Sequence, residues 1–318
     1  MQNAMQAILW IAVILIILIA AFLLTAYVCF YRVFYATSKQ KKCPDDEYPI
    51  PEGRIYEPFR EQMVEWVKMA RALPHRQVSI VSHDGLTLRG NYYEHHAGAP
   101  IELLMHGYRG SAERDMSGAI ARCFALGHSA LLIDHRGSGK SDGHVITFGV
   151  LESRDCLAWV NFILREIDEN AQIIISGVSM GAATVMIAAG EELPPQVVGG
   201  LADCGYDTAK KIIKKVIAEH HYPVEIVYFF ARLGGRIFGH FDVEERSPLG
   251  AMEKCRIPII FLHGDADDFV PCDMSRACHD ACTSQKKKLV VVPGAGHGLA
   301  FPVDMDLYLT EVGEFFGI

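Results

Sequence analysis

Residues 172–189 read QIIISGVSMGAATVMIAA, an apolar run that passes into an apolar helical pattern at Gly177-Val178-Ser179-Met180-Gly181. A strand that turns sharply into a helix needs small residues beside the turn, and Gly177 and Gly181 meet that need. Such a turn lifts the Ser179 hydroxyl clear of the backbone and leaves the Met180 N–H free to bind an oxyanion. G-x-S-x-G also arises by chance. The placement between strand and helix is what favours Ser179 as a nucleophile.

The rest of the chain predicts a sheet around this turn. Six apolar runs without an exposed face are typical of parallel strands covered by helices on both sides. An alternating stretch around Asp84-Gly85 precedes them and predicts a β-hairpin. The expected fold is an α/β open sheet. The runs lie at 101–107, 129–137, 172–179, 197–203, 258–265 and 288–297, and helical patterns lie at 113–126, 149–167, 180–191, 272–284 and 303–317.

Residues 205–250 interrupt this alternation with a basic helical run and an apolar, aromatic stretch. An insertion of this size is expected to form a cap over the carboxyl edge of the sheet. The alternative is an extra packing helix with no part in access to the site. Either way the insertion lies within one globular domain, predicted at residues 77–318.

The amino terminus predicts a membrane anchor. No charged residue precedes Arg32, and of residues 7–31 only Thr25 is clearly polar. A helix of that length spans about 37 Å, more than the ~30 Å hydrocarbon core of a bilayer. A cleaved signal peptide would need a basic amino-terminal region, which residues 1–6 lack. We therefore expect a retained single-pass helix within residues 1–35.

The basic residues just after the span predict its orientation. They are Arg32, Lys39, Lys41 and Lys42, whereas only the terminal amine precedes the span. Positive residues tend to stay on the cytoplasmic side, so the globular domain is expected in the cytoplasm. Residues 36–76 are expected to form a proline-rich linker and a short amphipathic helix that packs on the domain or lies on the membrane.

Composition excludes several classes of protein. The chain has 318 residues, of which 50% are hydrophobic and 10% aromatic, so it is not disordered as a whole. Its net charge of −8 disfavours nucleic acid as a partner. Nine cysteines leave at least one thiol unpaired and form no disulfide pattern. The oligomeric state stays open.

Two patterns suggest a metal or a nucleotide but lack the required spacing. Cys272, Cys278, His279 and Cys282 do not form the paired C-x-x-C arrangement, and we expect them to be packing residues. The stretch RGSGKS would need glycine where Asp134 stands to form a phosphate loop. No metal or cofactor is therefore predicted.

Side chains far apart in the sequence complete a candidate catalytic set. A serine needs a base, and His297 in the glycine-rich PGAGHG is the candidate. The histidine needs an acid, which HGDADDFVP offers as Asp265, Asp267 or Asp268, with Asp203 as a weaker alternative. The alternative is that His297 is an exposed turn residue and that the aspartates cap turns.

A second oxyanion donor is expected after another apolar run. In MHGYRGS the residue after His106-Gly107 is Tyr108, whose N–H would act beside that of Met180 and whose side chain would face the substrate. The alternative is an ordinary strand-to-helix turn, in which Gly107 and Gly110 only provide backbone freedom.

Residues 77–318 resemble the α/β-hydrolase superfamily, in its branch of small serine esterases and peptidase-like hydrolases. The resemblance rests on MHGYRGS, DHRGSGKSDG, ISGVSMGAA, HGDADDFVP and PGAGH. It implies Ser179 as nucleophile, His297 as base, and Asp267 as acid because it is the fifth residue of an HGxxDxxVP stretch. It also implies Tyr108 and Met180 as the oxyanion hole.

The sequence thus predicts a membrane-tethered serine hydrolase that cleaves an ester, thioester or amide without a cofactor. A carboxylesterase acting on a small-molecule or lipid-like acyl substrate is the preferred interpretation. A serine peptidase-like hydrolase is the alternative within the fold. A non-catalytic membrane-bound binding protein is the alternative from another class.

Overall fold

A sheet of eight strands lies at the centre of the computed structural model, which describes residues 2–36 and 47–317. The strand order is β1-β2-β4-β3-β5-β6-β7-β8. The pairs β1–β2 and β2–β4 are antiparallel, and the other neighbours are parallel. This confirms the predicted α/β fold with a mostly parallel sheet. The strands are β1 Arg76–Val81, β2 Thr87–Tyr93, β3 Ile101–Met105, β4 Ser129–Ile133, β5 Ile173–Val178, β6 Val197–Asp203, β7 Ile259–Gly264 and β8 Lys287–Val292.

Helices cover both faces of the sheet, as alternate strand residues show. Leu103 packs in one apolar cluster with Trp159, whereas its neighbour Leu104 packs in another with Ile120. Successive residues of a strand point to opposite faces, so the two clusters lie on the two sides of the sheet. The helices outside the predicted cap are α1 Gln2–Phe34, α2 Arg60–Ala72, α3 Ala112–Ala125, α4 Glu152–Phe162, α5 Met180–Ala189, α9 Cys272–Ala281, α10 Ala300–Val303 and α11 Met305–Phe316.

The helix expected over 149–167 is shorter in the structure. α4 begins at Glu152, whose carboxylate accepts hydrogen bonds from the N–H groups of Thr147 and Gly149 at 2.7 and 2.9 Å. Phe148 and Gly149 have positive φ angles of 55° and 94°, which a right-handed helix does not accommodate. A π-helical turn, Ile163–Ile167, completes the segment.

α2 lies where the short amphipathic helix was expected, and it packs on the domain. The Trp66 ring stacks on Phe301 with centroids 5.5 Å apart. Gly118 of α3 lies under the same indole, where an added Cβ would be 2.6 Å from a ring atom. The contacts of Trp66 therefore hold α2 against the globular domain.

α1 is long and apolar enough to be a candidate membrane span or signal anchor. Its residues 2–25 are exposed, and Ala26, Phe30 and Phe34 are its buried residues. The chain then pairs with the domain, because the Ala36 N–H donates to the His144 carbonyl at 2.7 Å. Lys39, Lys41 and Lys42, which the predicted orientation uses, lie outside the described residues.

The segment predicted as a cap is helical. It contains α6 Ala209–Glu219, α7 Val224–Phe238 and α8 Pro248–Met252. α7 packs along α1 so closely that a Cβ added to Gly234 would lie 2.3 Å from the Ala26 carbonyl oxygen. α1 and the insertion therefore form one packed unit next to the sheet.

Candidate active site

Ser179 occupies the sharp turn between β5 and α5, with φ 56° and ψ −116°. A non-glycine residue in this conformation costs about 1–3 kcal/mol, so the surroundings must hold it. The Ser179 N–H donates to the Asp203 carbonyl at 2.8 Å. A Cβ on Gly181 would lie 2.0 Å from the Met105 carbonyl oxygen, which is why this position needs glycine.

Three of the predicted side chains form a continuous chain of hydrogen bonds. His297 Nε2 lies 2.9 Å from Ser179 Oγ, and His297 Nδ1 lies 2.7 Å from Asp267 Oδ2. The carboxylate is acceptor-only, so it fixes the imidazole proton on Nδ1 and leaves Nε2 to accept from the serine. This is the arrangement that a serine nucleophile with a general base requires.

Asp267 is held as a carboxylate. Burial opposes its ionisation, but hydrogen bonds with His263 and His297 outweigh burial and lower the pKa of Asp267 to about 2. Its other oxygen accepts the N–H groups of Phe269 and Val270 at 3.0 and 2.8 Å. Its negative charge is therefore available to stabilise an imidazolium at His297.

His263 is a neighbour of this acid that the sequence analysis missed. Its Nε2 lies 3.2 Å from Asp267 Oδ2 and 2.8 Å from the Val270 carbonyl oxygen. Its Nδ1 lies 2.7 Å from Ser275 Oγ. His263 is the first residue of HGDADDFVP, and it ties the acid to β7 and α9.

The other candidate acids have different contacts. Asp265 accepts the Gly294 N–H at 2.6 Å and so holds the turn before His297, while the Asp268 side chain is exposed. Asp203 accepts the Tyr308 hydroxyl at 3.1 Å, and burial raises the pKa of Asp203 to about 6. Of the four acids, Asp267 is the one hydrogen-bonded to His297.

The loop after β3 lies beside Ser179. A Cβ added to Gly107 would be 3.6 Å from the Ser179 Cβ, and the Gly107 N–H donates to Asp115 Oδ2 at 3.0 Å. His106 is buried, which lowers the pKa of His106 to about 3 and keeps it neutral. Its Nε2 accepts the His135 N–H at 3.0 Å, so its Nδ1 donates to the Gly107 carbonyl at 2.7 Å. These bonds fix the backbone just before Tyr108.

The same loop is bonded to α1, which no sequence pattern indicated. The Tyr108 hydroxyl donates to the Val33 carbonyl at 2.6 Å. The neighbouring Arg109, at φ 54°, donates through Nη2 to the Arg32 carbonyl at 2.7 Å. The Tyr108 ring lies 4.9 Å from the Phe148 ring. The last turn of α1 is thus attached to the loop next to Ser179.

A cavity of about 600 Å³ reaches Ser179. Its walls come from the last turns of α1, from α6 and α7, and from the loop after β7. Most lining side chains are apolar, and none of those within residues 2–36 and 47–317 is an acid. They include Val28, Cys29, Val33, Ile212, Ile213, Val216, Ile217, Val227, Phe269 and Val270, with Arg32 and Arg109 as the cationic members.

Cys204 is a further residue that the sequence analysis did not place at the site. Together with Asp267 and His297 it forms a group whose potential ligand atoms lie within 4.8 Å of one another. Burial and the neighbouring carboxylates raise its pKa well above the ordinary thiol value, so Cys204 is a thiol rather than a thiolate. The hydrogen bonds of Asp267 and His297 already account for the other two residues.

The two sequence patterns set aside as metal or nucleotide sites have structural contacts. Asp134 accepts the N–H groups of Ala112 and Lys140 at 2.9 and 2.8 Å, which joins α3 to the RGSGKS turn. Cys278 and Cys282 are buried in the main apolar cluster.

Comparison with a family model matches residues 101–249 to the serine aminopeptidase S33 model. The match includes Ser179 and Tyr108 and ends before Asp267 and His297. "Uncharacterized protein Rv2307c" of Mycobacterium tuberculosis is 29% identical over 249 residues, 76% of this chain and 78% of that protein. "Uncharacterized protein YqkD" of Bacillus subtilis is 27% identical over 195 residues, 60% of this chain. The chain spans only 62% of YqkD.

Solved structures share the fold. An esterase of Pyrococcus furiosus, Pf2001, superposes with a TM-score of 0.65 at 22% identity, covering 85% of this chain and 96% of the esterase. Est1E from Butyrivibrio proteoclasticus, solved with ferulic acid bound, gives a TM-score of 0.57 at 22% identity, covering 75% and 97%. This chain therefore has the α/β-hydrolase fold, and its residues 101–249 are similar to the serine aminopeptidase S33 family.

Proposed function

We propose that this protein is a membrane-anchored serine hydrolase, most specifically a carboxylesterase, with Ser179, His297 and Asp267 as its catalytic triad. The observation that carries the proposal is the pair of hydrogen bonds, 2.9 and 2.7 Å long, that link these three side chains. The fold and the family comparison agree with hydrolysis of an acyl bond.

In this mechanism Ser179 Oγ attacks the substrate carbonyl carbon while His297 Nε2 takes its proton. The carbonyl oxygen becomes an oxyanion, which the N–H groups of Tyr108 and Met180 bind. The N–H of Met180, the first residue of α5, has no intrahelical acceptor. His297 then returns the proton to the leaving alcohol, and a water activated by the same base hydrolyses the acyl-enzyme.

The cavity favours an ester with an apolar acyl chain over a peptide amine. An aminopeptidase needs an acidic group to bind the substrate ammonium, and no Asp or Glu is among the described residues that line this cavity. Arg32 and Arg109 would instead repel a cation. The apolar walls match an acyl chain, and they bury it without unpaired polar groups.

Anchoring would follow from α1, whose exposed residues 2–25 extend about 36 Å at 1.5 Å per residue. That length is enough for a hydrocarbon core of about 30 Å. With the basic residues after the span held on the inner side, the hydrolase domain would face the cytoplasm. Substrates would then be small or lipid-like acyl compounds within reach of the membrane.

Labelling with a fluorophosphonate probe, together with hydrolysis of p-nitrophenyl butyrate, tests the proposal. Both should be lost in Ser179→Ala and kept in Ser79→Ala, which changes an exposed serine of β1. Labelling that persists in Ser179→Ala would contradict the assignment of the nucleophile. An unlabelled wild-type chain would favour the non-catalytic binding protein.

A series of substrates then separates the enzyme classes. We expect octanoyl esters to be cleaved with a higher kcat/KM than acetyl esters, because a longer chain buries more apolar surface in the cavity. Aminoacyl anilides should be poor substrates. Preference for an aminoacyl anilide would instead support the peptidase.

A further inference from the structure

The contacts between α1 and α7 show which residues of the insertion lie beside which residues of the proposed membrane anchor. The Phe22 ring lies 5.0 Å from the Phe230 ring, and the Phe30 ring lies 6.0 Å from the Phe238 ring. Between these contacts both helices advance by eight residues, with Ala26 against Gly234 halfway. The two helices therefore run side by side and parallel, and each step of one residue along α1 corresponds to a step of one residue along α7.

This register places the start of α7 beside the apolar part of α1. Val224, the first residue of α7, is level with about residue 16 of α1. If the hydrocarbon core covers residues 2–21, it ends next to Phe22 and Phe230. If the core is centred on the apolar stretch 7–31, it reaches about residue 29, roughly 10 Å beyond Phe22. In both placements the first two turns of α7 meet the lipid.

The side chains at this end of the insertion suit that location. Tyr222, Ile226 and Phe229 are 61%, 58% and 54% exposed, although they are large and apolar. Glu225 is the charged residue in the first two turns of α7, and Lys214 neutralises it through a contact of 2.7 Å. Arg232 and Arg236 lie on the far half of α7, where both pair with Asp242.

We propose that residues 222–230, which we call the cap tip, insert into the membrane leaflet beside α1 as a second membrane contact. This inference rests on the proposed anchoring and esterase function and deepens both. Partial insertion of an apolar helix face to 5–10 Å is a known mode of interfacial binding. The occupant of this exposed face is therefore the lipid leaflet, not a second protein.

The cavity links this proposed membrane contact to Ser179. Its lining includes Val28 and Cys29 of α1 together with Tyr222 and Val227 of the cap tip. α1 and the cap tip, the two elements proposed to contact lipid, therefore both contribute to the walls of the cavity. An acyl chain could leave the leaflet along α1 and reach Ser179 without crossing water. The substrate class that fits is a membrane-resident ester with at least one long acyl chain.

Tryptophan fluorescence in vesicles tests the contact itself. The full chain is reconstituted in phosphatidylcholine vesicles whose acyl chains carry bromine, which quenches nearby indoles. Phe229→Trp should add fluorescence that the brominated lipid quenches. The control Glu169→Trp lies on an exposed loop before β5, at the opposite edge of the sheet, and should add fluorescence that is not quenched. Equal quenching of both variants, or of neither, would overturn the proposal.

Activity gives a second readout on the same proteins. Ile226→Ser with Phe229→Ser should lower hydrolysis of a long-chain ester embedded in vesicles by about tenfold, because two apolar side chains leave the lipid. Hydrolysis of soluble p-nitrophenyl butyrate should be unchanged, since neither side chain lines the cavity. An equal loss on both substrates would overturn the inference. A wild-type chain that cleaves no ester would refute the esterase instead, and the quenching result would still decide the membrane contact.

Discussion

The Tyr108 hydroxyl donates to the backbone carbonyl of Val33 at 2.6 Å, across 75 positions of the sequence. Tyr108 belongs to the loop that is proposed to bind the oxyanion, and Val33 belongs to the last turn of α1. The same turn lines the cavity through Arg32 and Val33. The helix proposed to anchor the chain is therefore also part of the site.

Two truncations separate anchoring from this second role. A chain without residues 2–25 keeps Ala26, Phe30 and Phe34 packed in the domain, so we expect its kcat/KM on p-nitrophenyl butyrate to stay within about threefold of wild type. A chain without residues 2–36 loses a cavity wall and the acceptor for Tyr108. We expect its kcat/KM to fall by at least about tenfold, since one lost hydrogen bond and lost packing each cost about 1 kcal/mol.

Circular dichroism and thermal unfolding would show whether the shorter chain remains folded. Tyr108→Phe in the full chain provides a milder comparison, because it removes the bond to Val33 and keeps the ring contact with Phe148. If both truncated chains were equally active, α1 would have no part in the site.

The neighbouring acids in HGDADDFVP give a second prediction. Asp267→Asn removes the charge that stabilises the imidazolium of His297, and we expect kcat to fall by about 10³–10⁴-fold. Asp268→Asn changes an exposed side chain and should leave kcat within about twofold of wild type. Steady-state hydrolysis of p-nitrophenyl butyrate by the two variants measures this directly. A larger loss of kcat in Asp268→Asn than in Asp267→Asn would identify Asp268 as the catalytic acid instead.

Asp203 gives a prediction for stability against pH. Its pKa is raised to about 6 in the folded protein by burial, so the folded state binds this proton more tightly than the unfolded state. The stability contributed by the protonated carboxyl is complete below about pH 4 and is lost as the pH rises through 6. Asp203→Asn removes this loss, and it should raise the Tm relative to wild type at pH 8 but not at pH 4.

The expected gain at pH 8 is at most about 3 kcal/mol, because each pKa unit is worth about 1.4 kcal/mol. Thermal unfolding of the solubilised full chain at the two pH values provides the measurement. Tyr308→Phe is the matched control, since it removes the hydroxyl that donates to Asp203 and should lower the Tm at pH 8. A Tm difference between Asp203→Asn and wild type that does not vary with pH would show that Asp203 keeps an ordinary pKa.

The fold and the turn at Ser179 were predictable because their determinants are local. Continuous apolar runs fix the parallel strands, and the glycines on either side of Ser179 permit its turn. Local sequence did not decide which of Asp265, Asp267 and Asp268 contacts His297. The choice of Asp267 rested on resemblance, because residues one or two positions apart point in different directions after a strand.

The contacts that the sequence did not reveal join residues that belong to no common sequence motif. Tyr108 meets Val33 only because α1 ends against the carboxyl edge of the sheet, and nothing in an apolar helix specifies where it docks. His263 was overlooked because it lies inside the stretch that supplies the acid. The late start of α4 at Glu152 depends on the hydrogen bonds that the Glu152 carboxylate accepts from the loop before it.

The backbone at Ser179 leads to a last prediction, which concerns the strain stored in its turn. At φ 56° and ψ −116° an L side chain is strained, and glycine is not. Ser179→Gly and Ser179→Ala both remove the nucleophile, but only the glycine variant relieves the strain. After allowing for the greater freedom of glycine in the unfolded chain, we expect Ser179→Gly to be more stable than Ser179→Ala by about 1 kcal/mol. Thermal unfolding of the two inactive proteins side by side measures the difference, with Ser79→Gly and Ser79→Ala as the exposed-site control pair. If Ser179→Ala were equally stable, the turn would store no strain, and the position of the hydroxyl would be set by packing alone.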